Sequence, residues 1–229
     1  MLKLRGIHTY YGKSHILHGV NLEVNQKELV TLLGRNGVGK TTTLKSIMGL
    51  LEVRSGSIEY KNDNILTKPT HDIFRKGLGY VPQGRRIFST LTVLENLKLS
   101  SPNKKEEEMG LVLDIFPVLK KKLTHRGNEL SGGEQQMLAI ARVLAGRPEF
   151  ILLDEPSEGI APMLVKSIMG TVQQLNQAGL TILLVESNLP MAADLGKRHY
   201  IMANGVVVAE VDSKQLLEDT ELQREYYKL

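Results

Sequence analysis

Phosphate chemistry is written into this chain at Gly34-Arg-Asn-Gly-Val-Gly-Lys-Thr41, which fits the spacing G-x-x-x-x-G-K-[ST] at every specified position. Glycines at that spacing let successive backbone N–H groups close around phosphate oxygens, and a helix N-terminus behind them adds a positive dipole. Lys40 can then reach the β- and γ-phosphates, and Thr41 can set its hydroxyl on Mg²⁺. The candidate binding residues for a nucleoside triphosphate are Gly34, Arg35, Asn36, Gly37, Val38, Gly39, Lys40, Thr41 and Thr42. The apolar run Phe150-Ile-Leu-Leu ends in Asp154 and Glu155. Asp154 at a strand end can hold the Mg²⁺ shell, while Glu155, on the opposite side of an alternating strand, can orient and polarise the attacking water. Gln83 follows Pro82 at the end of another short strand, where its carbonyl can ligate Mg²⁺ or orient a water.

A second anion site is readable in Leu130-Ser-Gly-Gly-Glu-Gln-Gln136, where Ser131, Gly132 and Gly133 open a helix. A serine serving only as N-cap explains the same pattern. Tyr11 sits at a turn, where an aromatic face can stack on any base, or it is a core tyrosine. His15 and His18 have no other plausible ligands near them in sequence and read as ordinary packing residues.

The elements that must position these groups follow from the apolar patterning. Leu29–Leu33 reads as a buried strand leading into the phosphate loop, with a helix from Thr42 after it. Strands are expected over Leu4–Tyr11, Gly19–Val24 and Ser55–Tyr60, then at Lys76–Val81, Phe150–Asp154 and Thr181–Glu186. Tyr200–Ala209 reads as a hairpin turning at Asn204-Gly205. Thr92 with Glu95 predicts a capped helix start. From there to Gly146 the signals are helical, apart from a polar stretch over Ser100–Glu108. Leu164–Gln177 reads as an amphipathic helix, and a tail helix is expected from Asp212 or Ser213.

At 229 residues, 41% hydrophobic and 24% charged, the chain can bury a core of its own. Its longest apolar runs are too short to span a bilayer, so any membrane role is peripheral. Met1–Gly6 offers no apolar leader, and the absence of cysteine excludes disulfides and thiolate metal sites, so a cytosolic setting is expected. The net charge of +4 comes without an arginine-rich run or an aromatic-interleaved basic patch, and no nucleic-acid partner is expected.

Together these motifs resemble the ATP-binding subunit of an ABC transporter over nearly the whole chain. Gln83 falls at the family's Q-loop, Leu130–Glu134 at its signature sequence, Phe150–Asp154 at its Walker B strand and Glu155 at its catalytic glutamate. Tyr11 falls at the position of the base-stacking aromatic. The resemblance implies an α/β fold: a P-loop NTPase ABC ATPase core with an antiparallel β subdomain and an inserted helical subdomain. The chain would be one ABC ATPase domain. Residues 1–83 and 147–210 would form the core and β subdomain, 84–146 the helical subdomain, and 211–229 a helical tail. It also implies ATP with Mg²⁺, and catalytic roles for Glu155, Gln83 and Lys40. Thr41, Gln83 and Asp154 would lie at the metal. Ser131-Gly132-Gly133 would face the ATP of a second ATP-binding subunit, identical or a sister chain. The further partners implied are transmembrane permease subunits and, indirectly, a periplasmic or extracellular binding protein. The implied location is the cytoplasmic face of the membrane.

Two departures narrow the resemblance. Ser187 stands where the family usually has a histidine, and a serine cannot supply an ionisable imidazole. Ala161 stands where the segment after Glu155 usually has an aspartate. The altered histidine position and the Gly84-Arg85-Arg86 that follows Gln83 resemble importers of branched-chain amino acids and of urea or short amides, and the segments Gly34–Lys40, Tyr80–Arg85 and Asp154–Ile160 look slightly closer to the urea type. An exporter subunit of the lipopolysaccharide type, which has similar length, would be expected to keep the histidine. An ATPase of DNA repair would carry a long coiled coil that the interval from Gln83 to Ser131 cannot hold.

Overall fold

A computed structural model describes residues 1–100 and 106–227. The chain opens with β1 (Leu2–Tyr11), β2 (Ser14–Val24) and β3 (Leu29–Leu33), followed by α1 (Lys40–Ile47), β4 (Val53–Tyr60) and β5 (Asp63–Asn64). Then come α2 (Thr70–Arg75) and β6 (Leu78–Val81), and four helices in succession: α3 (Val93–Lys98), α4 (Glu106–Ile115), α5 (Pro117–Lys120) and α6 (Gly132–Leu144). The last part holds β7 (Phe150–Asp154), α7 (Pro162–Gln177), β8 (Thr181–Glu186), α8 (Leu189–Leu195), β9 (Arg198–Ala203), β10 (Val206–Asp212), α9 (Ser213–Glu218) and α10 (Thr220–Tyr227).

Two sheets result. One is antiparallel in the order β2-β1-β4-β5, and the other runs β10-β9-β3-β8-β7-β6, parallel except for β10. Every residue of β3, β7 and β8 is buried, as expected of parallel strands covered on both faces. One core cluster lies between the two sheets and α1, with Leu2, Ile7, Leu17, Val30, Leu44 and Leu183 among its members. A buried Thr9–Ser46 hydroxyl contact of 2.9 Å ties the antiparallel sheet to α1. A second cluster joins the other face of the large sheet to α6, α7 and the helices after β6, through Leu138, Ile140, Leu153, Ile168 and Leu184.

Most expected elements fall where the patterning puts them. The first hairpin is longer than expected, because pairing with β1 recruits Ser14–His18, whose histidines hide the alternation. The Thr92–Glu95 capping box forms, and so does one at Ser131 with Glu134. Residues 101–105 of the expected polar stretch lie outside the described residues, and Glu106 already begins α4.

Candidate functional site

Because β3, β8 and β7 are parallel neighbours, their C-terminal ends open on one edge of the sheet. Leu33 is in register with Glu186, and Asp154 with Val185. The phosphate loop leaves this edge and turns into α1. Gly34 and Gly39 have φ of 152° and 113°. A side chain at Gly34 would strike the Met202 carbonyl, and one at Gly39 would come within 2.9 Å of Leu17 and Met202. The loop is thus closely seated as well as left-handed.

Lys40 is 4% exposed and fully engaged. Its Nζ donates to the Gly34 and Arg35 carbonyls at 2.7 and 3.1 Å and to Ser187 Oγ at 3.2 Å, and it lies 2.9 Å from Glu155 Oε1. The Ser187 hydroxyl lies 3.1 Å from Glu155 Oε1 and 3.3 Å from Asn36 Oδ1, and having one hydrogen it donates to only one of them. Thr41 Oγ1 donates to Asp154 Oδ1 and the Tyr80 hydroxyl to Asp154 Oδ2, both at 2.9 Å. Burial pushes the Asp154 pKa up, the Thr41 and Tyr80 hydrogen bonds pull it down, the Glu155 charge pushes it up, and the net direction is upward. Tyr80 is likewise raised, by burial and then by Asp154.

Pleat alternation does not explain why Glu155 and Asp154 diverge. Glu155 lies one residue beyond β7 with φ of 45°, and its amide donates to the Val185 carbonyl at 3.0 Å. That left-handed turn, not the strand, aims its carboxylate at Lys40. Gln83 Nε2 donates to Glu158 Oε2 at 2.7 Å and, more weakly, to Glu155 Oε2 at 3.3 Å. Its amide nitrogen is taken up by carboxylates that only accept, which leaves its carbonyl oxygen for another partner. Tyr11 is 44% exposed and, with Asn36, Gly37, Gly39, Lys40, Thr41, Thr42, Gln83 and Glu155, lines one cavity of about 370 Å³. The Thr41 hydroxyl, the Asp154 carboxylate and the Gln83 carbonyl are all hard oxygen donors, the kind that suits Mg²⁺.

Ser131, Gly132 and Gly133 are absent from that cavity. Ser131 caps α6, Gly132 faces the Arg85 guanidinium, and Gly133 faces Leu164. Within one chain they are not brought to the phosphate loop. His15 and His18 do have a neighbour that sequence distance concealed. His8 Nδ1 lies 3.0 Å from His15 Nε2, and the His15 and His18 rings are 3.9 Å apart. Desolvation, then the neighbouring imidazoles and Arg54, hold the His15 pKa below its usual value. Among the described residues no group of three or more His, Asp or Glu could hold a metal ion. The turn between β9 and β10 reaches this region too: His18 N donates to the Gly205 carbonyl at 2.8 Å, and Gly205 N donates to the Val38 carbonyl at 2.9 Å.

Sequence reasoning did not single out Tyr80, Glu158 or Glu186. Their contacts depend on which strands are neighbours, and no local spacing reports that.

The sequence model of the ABC transporter family matches residues 17–158. A high-affinity branched-chain amino acid transport ATP-binding protein of Pseudomonas aeruginosa is 41% identical, covering 99% of this chain and 99% of its own. A lipopolysaccharide export system ATP-binding protein of Haemophilus influenzae is 35% identical, with coverage of 94% and 92%. Among solved structures, a nucleotide-free ATP-binding cassette from an ABC transporter superposes with a TM-score of 0.89 at 27% identity, covering 100% of this chain and 97% of that one. A dimeric cassette in a post-hydrolysis state bound to ADP and Pi gives 0.83 at 28% identity, with coverage of 93% and 99%. Among the described residues no helix is long and apolar enough to cross a membrane.

Proposed function

The chain belongs to the ABC transporter family as one of its ATP-binding ATPases, and from that premise we propose that it energises an importer, with Glu155 as the residue that activates water. The observation that carries this reading is the contact of Glu155 with Lys40 inside the cavity that the phosphate loop lines. When nucleotide enters, Lys40 turns from Glu155 to the β- and γ-phosphates. The freed Glu155 carboxylate then accepts a hydrogen bond from the attacking water and aligns it. Thr41, Asp154 and Gln83 hold Mg²⁺, which when bound neutralises phosphate charge. Tyr11 stacks on the adenine, and the loop amides from Gly34 to Thr42 cradle the phosphates. Ser131, Gly132 and Gly133 of a second ATP-binding subunit, a copy of this chain or a sister, close over the γ-phosphate.

The subunit sits on transmembrane permease subunits at the cytoplasmic face, with a binding protein delivering cargo from the other side. The cargo is branched-chain amino acids, as in the name of the Pseudomonas relative, or urea and short amides, to which the segments Gly34–Lys40, Tyr80–Arg85 and Asp154–Ile160 look slightly closer. Glu155→Gln should lower ATP turnover at least 100-fold while trapping an ATP-bound dimer of the 25.5 kDa chain in gel filtration. Unchanged turnover removes Glu155 from the role, and no dimer with ATP assigns the second subunit to a sister chain. Uptake of labelled leucine and of urea by a strain lacking the gene decides the cargo. Loss of neither, with a defect in lipopolysaccharide export, would replace the importer by the exporter.

A further inference from the structure

Glu186 ends β8 directly behind the site, and nothing above gives it a task. It is 2% exposed. Its Oε2 accepts from the Ser187 backbone N–H at 3.2 Å, while Oε1 is the only buried side-chain oxygen or nitrogen among the described residues without a hydrogen-bond partner. Ser157, two residues beyond Glu155, lies close enough for its hydroxyl and its backbone N–H to pull the pKa of this carboxyl down, though neither forms a hydrogen bond of normal geometry to Oε1. Burial pushes that pKa up, as does the charge on Glu155, and the net direction is upward. A carboxyl so placed is costly to ionise, and an acceptor left unpaired in the interior is itself unfavourable. The residue on one side, Ser187, touches Lys40, Asn36 and Glu155. The residue on the other, Ser157, belongs to the segment that carries Glu155 into α7.

We propose that Glu186 is a positioning residue: its buried carboxyl joins the Ser187 backbone to the Ser157 turn, so that Ser187 and Glu155 are held as one unit around Lys40. The unpaired Oε1 is the acceptor left for that link. Glu186 touches neither phosphate nor water and acts only through these two serines. This role rests on the ATPase reading above and deepens it.

The test is steady-state ATP turnover, equilibrium ATP binding and thermal melting of the full chain carrying Glu186→Ala, Glu186→Gln or Ser157→Ala. Glu186→Ala should lower kcat about 10-fold or more, with KM for ATP and the ATP dissociation constant changed less than about 3-fold. Glu186→Gln, which keeps the shape and one acceptor without charge, should restore kcat to within about 3-fold of the parent. Ser157→Ala should lower kcat in the same direction, and its effect should not multiply with that of Glu186→Ala. A kcat for Glu186→Ala within 2-fold of the parent overturns the proposal, as do multiplicative effects or a parallel loss of ATP affinity. If Glu186→Ala does not fold, Ser157→Ala still decides it: a kcat within 2-fold of the parent, or a parallel loss of ATP affinity, overturns the proposal. An inactive parent chain, or a fully active Glu155→Gln, would instead defeat the ATPase reading and leave these variants without a baseline.

Discussion

At the scale of single residues, the site is a contest for Lys40. Two carbonyls, a hydroxyl and a carboxylate share its ammonium, and Glu155 is the charged member of that set. On our reading a phosphate displaces Glu155 from Lys40, and in doing so it frees the carboxylate to face the attacking water. Ser187 adds one hydrogen bond to either Glu155 or Asn36, of the kind that contributes about 1 kcal/mol. Ser187→Ala should therefore lower turnover about 5-fold, without the near-abolition expected of Glu155→Gln. A loss beyond about 100-fold in turnover assays would mean that Ser187 does more than hydrogen-bond. Lys40, Thr41 and Asp154 could be picked out of the sequence because local spacing marks them, and the structure sets Lys40 and Thr41 at the cavity and Asp154 against Thr41. The company kept by Ser187 could not be, since it comes from the end of β8 lying between β3 and β7.

Elements show the same division. The strands β3, β7 and β8 could be read as buried because uninterrupted apolar runs have few other uses. The full lengths of β1 and β2 could not, because polar residues such as Ser14, His15 and His18 are drawn in by cross-strand pairing. On β9, His199 is fully buried between Thr31 Oγ1, 2.7 Å from its Nδ1, and Ser213 Oγ, 3.0 Å from its Nε2. Ser213 already donates its hydrogen to the Gly196 carbonyl, so it accepts from Nε2–H, and Nδ1 accepts from Thr31. The ring is neutral, and burial pushes its pKa from 6.5 to about 4. The unfolded chain therefore binds the extra proton first as pH falls. The stability that His199 contributes is complete above pH 6.5 and is lost on acidification toward about 4, a change of a few kcal/mol. Melting curves between those limits should show it, and His199→Gln should flatten the dependence.

At the scale of the whole molecule, a single chain presents one cavity with a phosphate loop and, elsewhere, a second glycine-opened helix that does not reach it. Our reading gives that helix to the neighbour's nucleotide. Ser131→Ala removes an N-cap, so the melting stability of the monomer should fall by about 1 kcal/mol, while its ATP affinity stays unchanged and ATP-driven pairing weakens. Light scattering of this change in the Glu155→Gln background separates the two effects, and pairing of undiminished strength would return Ser131 to a capping role alone. One feature bears on how such a subunit could be altered by design. The Asn204-Gly205 turn hydrogen-bonds both His18, beside the aromatic end of the first hairpin, and Val38 in the phosphate loop. Any side chain at Gly205 would strike the Ile16 carbonyl and come within 2.6 Å of the His18 ring, at a φ of 78°. The first hairpin and the phosphate loop therefore share a hinge pin, and a library built to change nucleotide preference should hold that turn constant while it varies everything around it.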